Sequence, residues 1–290
     1  MIIRFFKFTK LPQVITAMIV SLTIMIDLKN ENLSIHDFYS LTILYVIFLL
    51  SIFIISKNSI LKNNQFTTLG LIVFSGLYFK MPTEINTSLS YFFLLLSIRK
   101  IYSLKSNKSL NKKLVDIGFW LSASFFLNPY NILFLFTVFS GIYMFYKLDF
   151  KSLFKILSGF LAASILIIFY LNFTKGITFS IDLFIVGLKS KALILNKSYS
   201  HWTLAISLSC IFVIYMFKYF GNNLSERLKN LFLLIFFLNS LFLVLLINEY
   251  SIFLFFPFLV TLIKIISELK INLLIETVIL AAILINAYPF

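Results

Sequence analysis

Apolar side chains in this chain do not alternate with polar ones. They run continuously for twelve to seventeen residues at a time, and short segments between the runs hold most of the charge. A strand pairing one face with lipid and one with a lumen would alternate with period two, so an up-and-down barrel is excluded. The runs suit α-helices. Crossing about 30 Å of hydrocarbon takes roughly 17–25 helical residues. Eleven runs approach that length once adjoining Ser, Thr, Tyr and snorkelling Lys are added. They are 13–26, 41–56, 66–79, 87–98, 114–127, 131–146, 156–171, 203–217, 231–247, 251–263 and 271–287. Pro129 disfavours helix at Asn128, which predicts a tight turn between the fifth and sixth runs.

Composition agrees with this pattern. Of 290 residues, 60% are apolar and only 12% are charged, with a mean hydropathy of +0.99. A water-exposed surface usually needs about a quarter charged residues. The expected fold is therefore an all-α polytopic transmembrane bundle of about eleven spans, a single integral membrane domain over residues 1–290. The basic start with Arg4, Lys7 and Lys10 leads into an apolar run without a small-residue cleavage site, and reads as a retained first span.

The net charge of +14 points first to nucleic acid, but its distribution points elsewhere. With the N-terminus inside, 19 of the 25 basic residues fall in inner loops. The largest of these, SIRKIYSLKSNKSLNKK, carries six of them with no acid. Four of the six outer ones, Lys175, Lys189, Lys191 and Lys197, share one long loop, and long loops weigh little in orientation. Asp27, Glu31, Asp37, Glu84, Asp182 and Glu249 fall outside. The expected topology is N-terminus in and C-terminus out in a bacterial inner membrane. The partners are the lipid bilayer and anionic headgroups, not nucleic acid.

Few residues carry chemistry. The single Cys210 allows no intrachain disulfide, and no zinc, Rossmann or P-loop pattern is present. Three clusters remain. The first outer loop, IDLKNENLSIHDF, brings Asp27, Glu31, His36 and Asp37 within eleven residues. Its carboxylates suit a general base, or a divalent metal beside a phosphate; a short solvated turn is the bland alternative. Glu276 sits mid-run in LLIETVIL, where a carboxylate needs a cavity or a partner. The outer loop 172–202 carries apolar positions at helical spacing from Ile177 to Leu188, which predicts an amphipathic interfacial helix. There Lys189, Lys191, Lys197 and His201 are placed to meet a phosphate, and Trp202 to anchor the next span. Asp116, following Lys112 and Lys113, reads as their local partner or a charge at a helix start.

The stretches SKNSILKNN (56–64) and SIRKIYSLKSNKSLNKKLVDIGFW (97–120) resemble a family of multi-pass inner-membrane proteins of Bacteroidota. The likeness includes Asp116, Phe119 and Trp120 after the basic loop. It implies lineage and an inner-membrane location, without an activity. A looser, fold-level likeness is to the multi-pass glycosyltransferases that use polyprenyl-phosphate sugars. In that class an acid of the first outer loop serves as base or metal partner. The likeness implies that part for Asp27, Glu31 or Asp37, with a divalent metal and a polyprenyl-phosphate substrate. The departure is a first outer loop of only about a dozen residues.

Three function classes follow. One is a transferase on a lipid-linked substrate such as a lipid-linked sugar at the outer leaflet. Another is a non-catalytic envelope scaffold or secretion and assembly subunit beside other envelope proteins. The last is a carrier or flippase built around Glu276.

Overall fold

A computed structural model describes residues 5, 10–29, 33–61, 66–80, 84–106, 108–175, 224–246 and 251–268. Among these residues the fold is all-helical, with no strand. The α-helices are α1 (Leu11–Lys29), α2 (Ile35–Lys57), α3 (Thr67–Lys80), α4 (Ile85–Ser103), α5 (Leu110–Leu127), α6 (Phe134–Phe145), α7 (Phe150–Lys175), α8 (Leu224–Leu246) and α9 (Phe255–Glu268). Short 3-10 turns occupy Leu104–Ser106, Pro129–Leu133 and Ser251–Leu254.

Nine of the eleven apolar runs lie on these elements. The runs 203–217 and 271–287 lie outside the described residues, as does the expected interfacial helix. Helix α1, helix α2, Phe150–Thr174 and Leu224–Val244 are long and apolar enough to cross a membrane. The chain is a membrane protein. The sixth run departs from expectation at its start. Asn128 is extended, its side chain accepts from the Tyr130 amide, and Pro129 opens a 3-10 turn, so α6 begins only at Phe134.

Helix α4 is the hub and packs against α2, α5 and α6. Outside α5 lies α7, across the most extensive interface of the bundle. On the other side α3 joins α1 to α9, and α8 packs on α6. Aromatic rings fill the junctions. Phe134 stacks on Phe253 at 5.5 Å and 16°, Tyr91 meets Phe253 edge-on at 5.0 Å, and Phe74 meets Phe255 at 4.7 Å. Such pairs add roughly 0.5–1.5 kcal/mol each beyond burial.

The α5–α7 crossing depends on two glycines. A Cβ on Gly118 would run into the Ile156 carbonyl, and one on Gly159 into the Val115 carbonyl. The two backbones are thus in direct contact at reciprocal positions. Each glycine has a small residue four positions on, Ser122 and Ala163. This is the small-xxx-small pattern by which helices in lipid approach closely, where apolar burial against water is not available to drive them together.

Polar side chains tie the helices from within. Ser124 donates to the Ser90 carbonyl at 2.7 Å and accepts from Asn131 Nδ2 at 2.7 Å. Ser97 donates to the Ile117 carbonyl at 3.2 Å, and Ser122 meets Ser164 at 2.9 Å. Tyr45 donates to the Met18 carbonyl at 2.6 Å, joining α2 to α1.

Candidate functional site

The two ends of the bundle differ in charge. Helix α2 has 23 residues and so reaches about 35 Å at 1.5 Å per residue. At its C-terminal end Arg99 lies over the Phe53 ring, 4.4 Å from the centroid. The Ser59 carbonyl just beyond accepts from Lys229 of α8 at 2.6 Å. Lys155 of α7 donates to Asn111 of α5 at 2.7 Å, and Lys264 of α9 to Asn230 of α8 at 3.1 Å. These contacts bring the basic ends of α2, α4, α5, α7, α8 and α9 together as one cationic end.

The expected partner of Asp116 is corrected here. It pairs with Lys100 of α4 at 2.5 Å rather than with its neighbours in sequence. Helices α4 and α5 pack along their length, so Asp116 faces Lys100. Lys112 points to solvent. Lys113 turns back to the Ser103 carbonyl at 2.5 Å and Ser106 Oγ at 2.7 Å. Burial first, and the charge of Lys100 second, push the Lys113 ammonium below the usual lysine range. The residues of the basic-loop likeness also pack here. Trp120 stacks on Phe93 at 5.8 Å and 11°, and Phe119 meets Trp120 edge-on at 5.2 Å. Lys105, Lys108 and Lys112 are exposed. Lys105 also stands near enough to Lys229 for their charges to repel. Fixed cations beside exposed ones suit phosphate headgroups, each worth about 1 kcal/mol at an anionic membrane surface.

The opposite end carries the loop between α1 and α2, expected from the sequence to be the first outer one. Ser34 is extended and caps α2, its backbone N–H and hydroxyl both donating to Asp37 Oδ2, at 3.0 and 2.7 Å. Lys29, the last residue of α1, binds the other carboxylate oxygen at 3.2 Å. Both oxygens of Asp37 are therefore engaged in starting α2 and tying it to α1. Asp27 lies in the last turn of α1 and is exposed. A negative charge is locally unfavourable at a helix C-terminus, by about 0.3–1 kcal/mol. His36 is exposed beside Asp37. Glu31, Lys189, Lys191, Lys197, His201 and Glu276 lie outside the described residues, so the structure does not bring them to the Asp27 end or keep them from it. Among the described residues no three His, Cys, Asp or Glu side chains gather as metal ligands.

Two features at the helix interfaces were not read from the sequence. Asn131, expected as the first residue of a span, is fully buried and reaches Ser124. The glycine crossing was signalled by Gly118-x-x-x-Ser122 and Gly159-x-x-x-Ala163. No family model, curated protein or solved structure matches the chain.

Proposed function

We propose that this chain is a polytopic protein of a bacterial inner membrane, with about eleven spans, its N-terminus inside and its C-terminus outside. The observation that carries this is the gathering of basic helix ends at one end of the bundle, about one hydrocarbon thickness from Asp27 and Asp37. Basic residues are retained on the cytoplasmic side. The test is labelling of intact cells with a membrane-impermeant maleimide after Cys210→Ser. Cysteine at position 29 is labelled and cysteine at position 108 is not; the reverse pattern inverts the topology.

The activity we assign to the outer end is glycosyltransferase-like, acting on a lipid-linked substrate at the outer leaflet. The loop's carboxylates have different surroundings. Asp37 anchors the loop through Ser34 and Lys29. Asp27 is exposed, at a helix end that does not favour its charge. Charges placed against local preference mark candidate functional positions. Asp27 is thus the carboxylate for the base or metal part, and Asp37 a positioning residue. In a complementation assay of the deleted gene, Asp27→Asn abolishes rescue at normal protein level, whereas Asp37→Asn lowers the amount of folded protein. Full rescue by Asp27→Asn removes Asp27 from the chemistry.

One observation favours the second reading, a non-catalytic envelope subunit. Helix α7 presents a continuous apolar flank from Phe150 to Phe173, which a partner in the membrane plane would cover. Recovery of the chain as a lone monomer after gentle extraction argues against this reading.

A further inference from the structure

An open apolar groove of about 390 Å³ runs between α5, α6 and the first three turns of α7. Its walls include Leu121, Leu135, Phe139, Phe150, Leu157 and Phe160, and no polar side chain lines it. The volume holds about a dozen methylenes, taking each as close to the ~30 Å³ share of a water molecule. That is most of one acyl chain.

The groove begins at the cationic end. Phe150 is the first residue of α7, directly after the turn that joins α6 to α7. That turn carries Lys147, whose side chain is 77% exposed with Asp149 at 3.4 Å. Lys151 follows Phe150 and is exposed. Lys155 lies further round the same end, so three lysines, Lys147, Lys151 and Lys155, face the one carboxylate of the α6–α7 turn, Asp149. Tyr143, in the last turn of α6, and Tyr146, its C-cap, are exposed at the same level, where aromatic side chains mark the headgroup boundary. A hydrocarbon slot that opens at a cationic mouth matches a molecule with an acyl tail and an anionic head. Basic pockets between membrane helices on the cytoplasmic side take phospholipid headgroups in this way.

We propose that this groove is a binding site for an anionic phospholipid of the inner leaflet. One acyl chain lies between α6 and α7 against Leu121, and the phosphate meets Lys147 and Lys151. The site rests on the membrane reading and is independent of any chemistry at Asp27. It lies at the opposite end of the bundle from that residue.

Native mass spectrometry of the full chain in micelles, with equimolar phosphatidylglycerol and phosphatidylcholine, tests the proposal. The wild-type chain retains phosphatidylglycerol on the order of twenty-fold better, from about five-fold for each of two lysines. The double variant Lys147→Ala, Lys151→Ala touches only exposed side chains, and it removes the preference. Ile132→Trp with Leu157→Trp, both half-exposed at the groove, fills the slot and abolishes retention of both lipids while the helical circular dichroism is unchanged. Equal retention of the two lipids by the wild-type chain overturns the site, as does a preference that survives loss of the lysines. If filling the groove dissolves a dimer and leaves lipid retention intact, the groove joins two copies and the proposal is wrong. If the wild-type chain shows neither lipid nor dimer, the groove is closed by the chain itself and the proposal is equally wrong. None of these outcomes bears on the cysteine-labelling pattern that tests topology.

Discussion

Helices α4 and α7 sit on either side of α5 and follow opposite rules. Helix α4 is less apolar; it buries Thr87, Ser88, Ser90 and Ser97 and stands at the centre of the bundle. Helix α7 is almost wholly apolar along its crossing, yet only 28% of its apolar window is buried. Phe169 is 71% and Phe173 84% exposed. In water this order would be reversed, because the most apolar helix has most to gain from burial. In lipid, apolar surface gains nothing by hiding. Hydroxyls and amides, which hydrocarbon cannot satisfy, gain by turning inward toward one another. What holds α4 and α5 together is therefore hydroxyl-to-carbonyl bonds and ring packing, and what holds α5 to α7 is close backbone contact, while the α7 flank is left to the solvent the chain evolved in.

The largest expected effect strikes the crossing that joins α7 to the inner pair. Gly118→Leu or Gly159→Leu drives a side chain into a backbone carbonyl, which the neighbouring helix escapes only by moving as a whole. Overpacking typically costs about 1–3 kcal/mol and more where the backbone itself is hit. Either change should exceed that range and remove most folded protein from gel filtration in mild detergent. Gly70→Ala is the internal control. The nearest atoms there belong to the flexible end of the Leu259 side chain, with the closest at 2.9 Å, so the loss should be much smaller. Equal losses at Gly70 and Gly118 would show that the glycine crossing is nothing special.

Next in size is the polar chain inside the bundle. Asn131→Ala removes the donor to Ser124 and leaves that hydroxyl its bond to the Ser90 carbonyl. Interhelical hydrogen bonds in membranes average about 0.6 kcal/mol and reach about 1.7. Full burial places Asn131 toward the upper part of that range. Unfolding by sodium dodecyl sulfate in mixed micelles measures the difference between wild type and variant. A stabilised Asn131→Ala would mean that the buried amide is a burden rather than a tie.

These particulars also show what a reader of the residues alone obtains. Helix positions were legible because the apolar runs are long and most are flanked by charge, and α1 to α5 follow those runs to within six residues at each end. The charge asymmetry was legible because loop lysines need no tertiary context. Partners were not. Asp116 has Lys112 and Lys113 within one turn, and only the packing of α4 on α5 reveals Lys100 as its mate. The acids of IDLKNENLSIHDF look alike in the sequence. Their separation into a helix cap, Asp37, and an exposed carboxylate, Asp27, depends on where α1 stops and α2 starts.

The Lys100–Asp116 pair is a smaller lever. Its side chains are 29% and 39% exposed, so water screens it and a worth of no more than about 0.5–1 kcal/mol is expected. A double-mutant cycle with Lys100→Met and Asp116→Asn measures the coupling, which should shrink as salt rises. Lys113 adds a sign. Its folded ammonium is pushed below the ordinary 10.5, so the cost of keeping it charged is present at neutral pH. That cost is relieved as pH rises from the lowered value toward 10.5. Lys100→Met removes one of its two causes and should flatten that rise. A coupling that ignores salt would place the pair in a drier setting than its exposure indicates.

The smallest expected effect is the most telling for the comparison. Phe169→Ala on α7 deletes a large apolar side chain, a change that costs about 3–5 kcal/mol in a buried core. On a lipid-facing flank the same atoms exchange one hydrocarbon contact for another, and surface changes stay within about ±0.5 kcal/mol. Phe236→Ala on α8 is the matched control. Phe236 is fully buried and packs against Phe134 at 5.5 Å, so the full core penalty applies there. The same detergent unfolding assay should separate the two by several kcal/mol. If Phe169→Ala costs as much as Phe236→Ala, the α7 flank is not solvated by lipid. It is then covered by protein, the inside-out ordering of α4 and α7 fails, and the envelope-subunit reading gains the partner it needs.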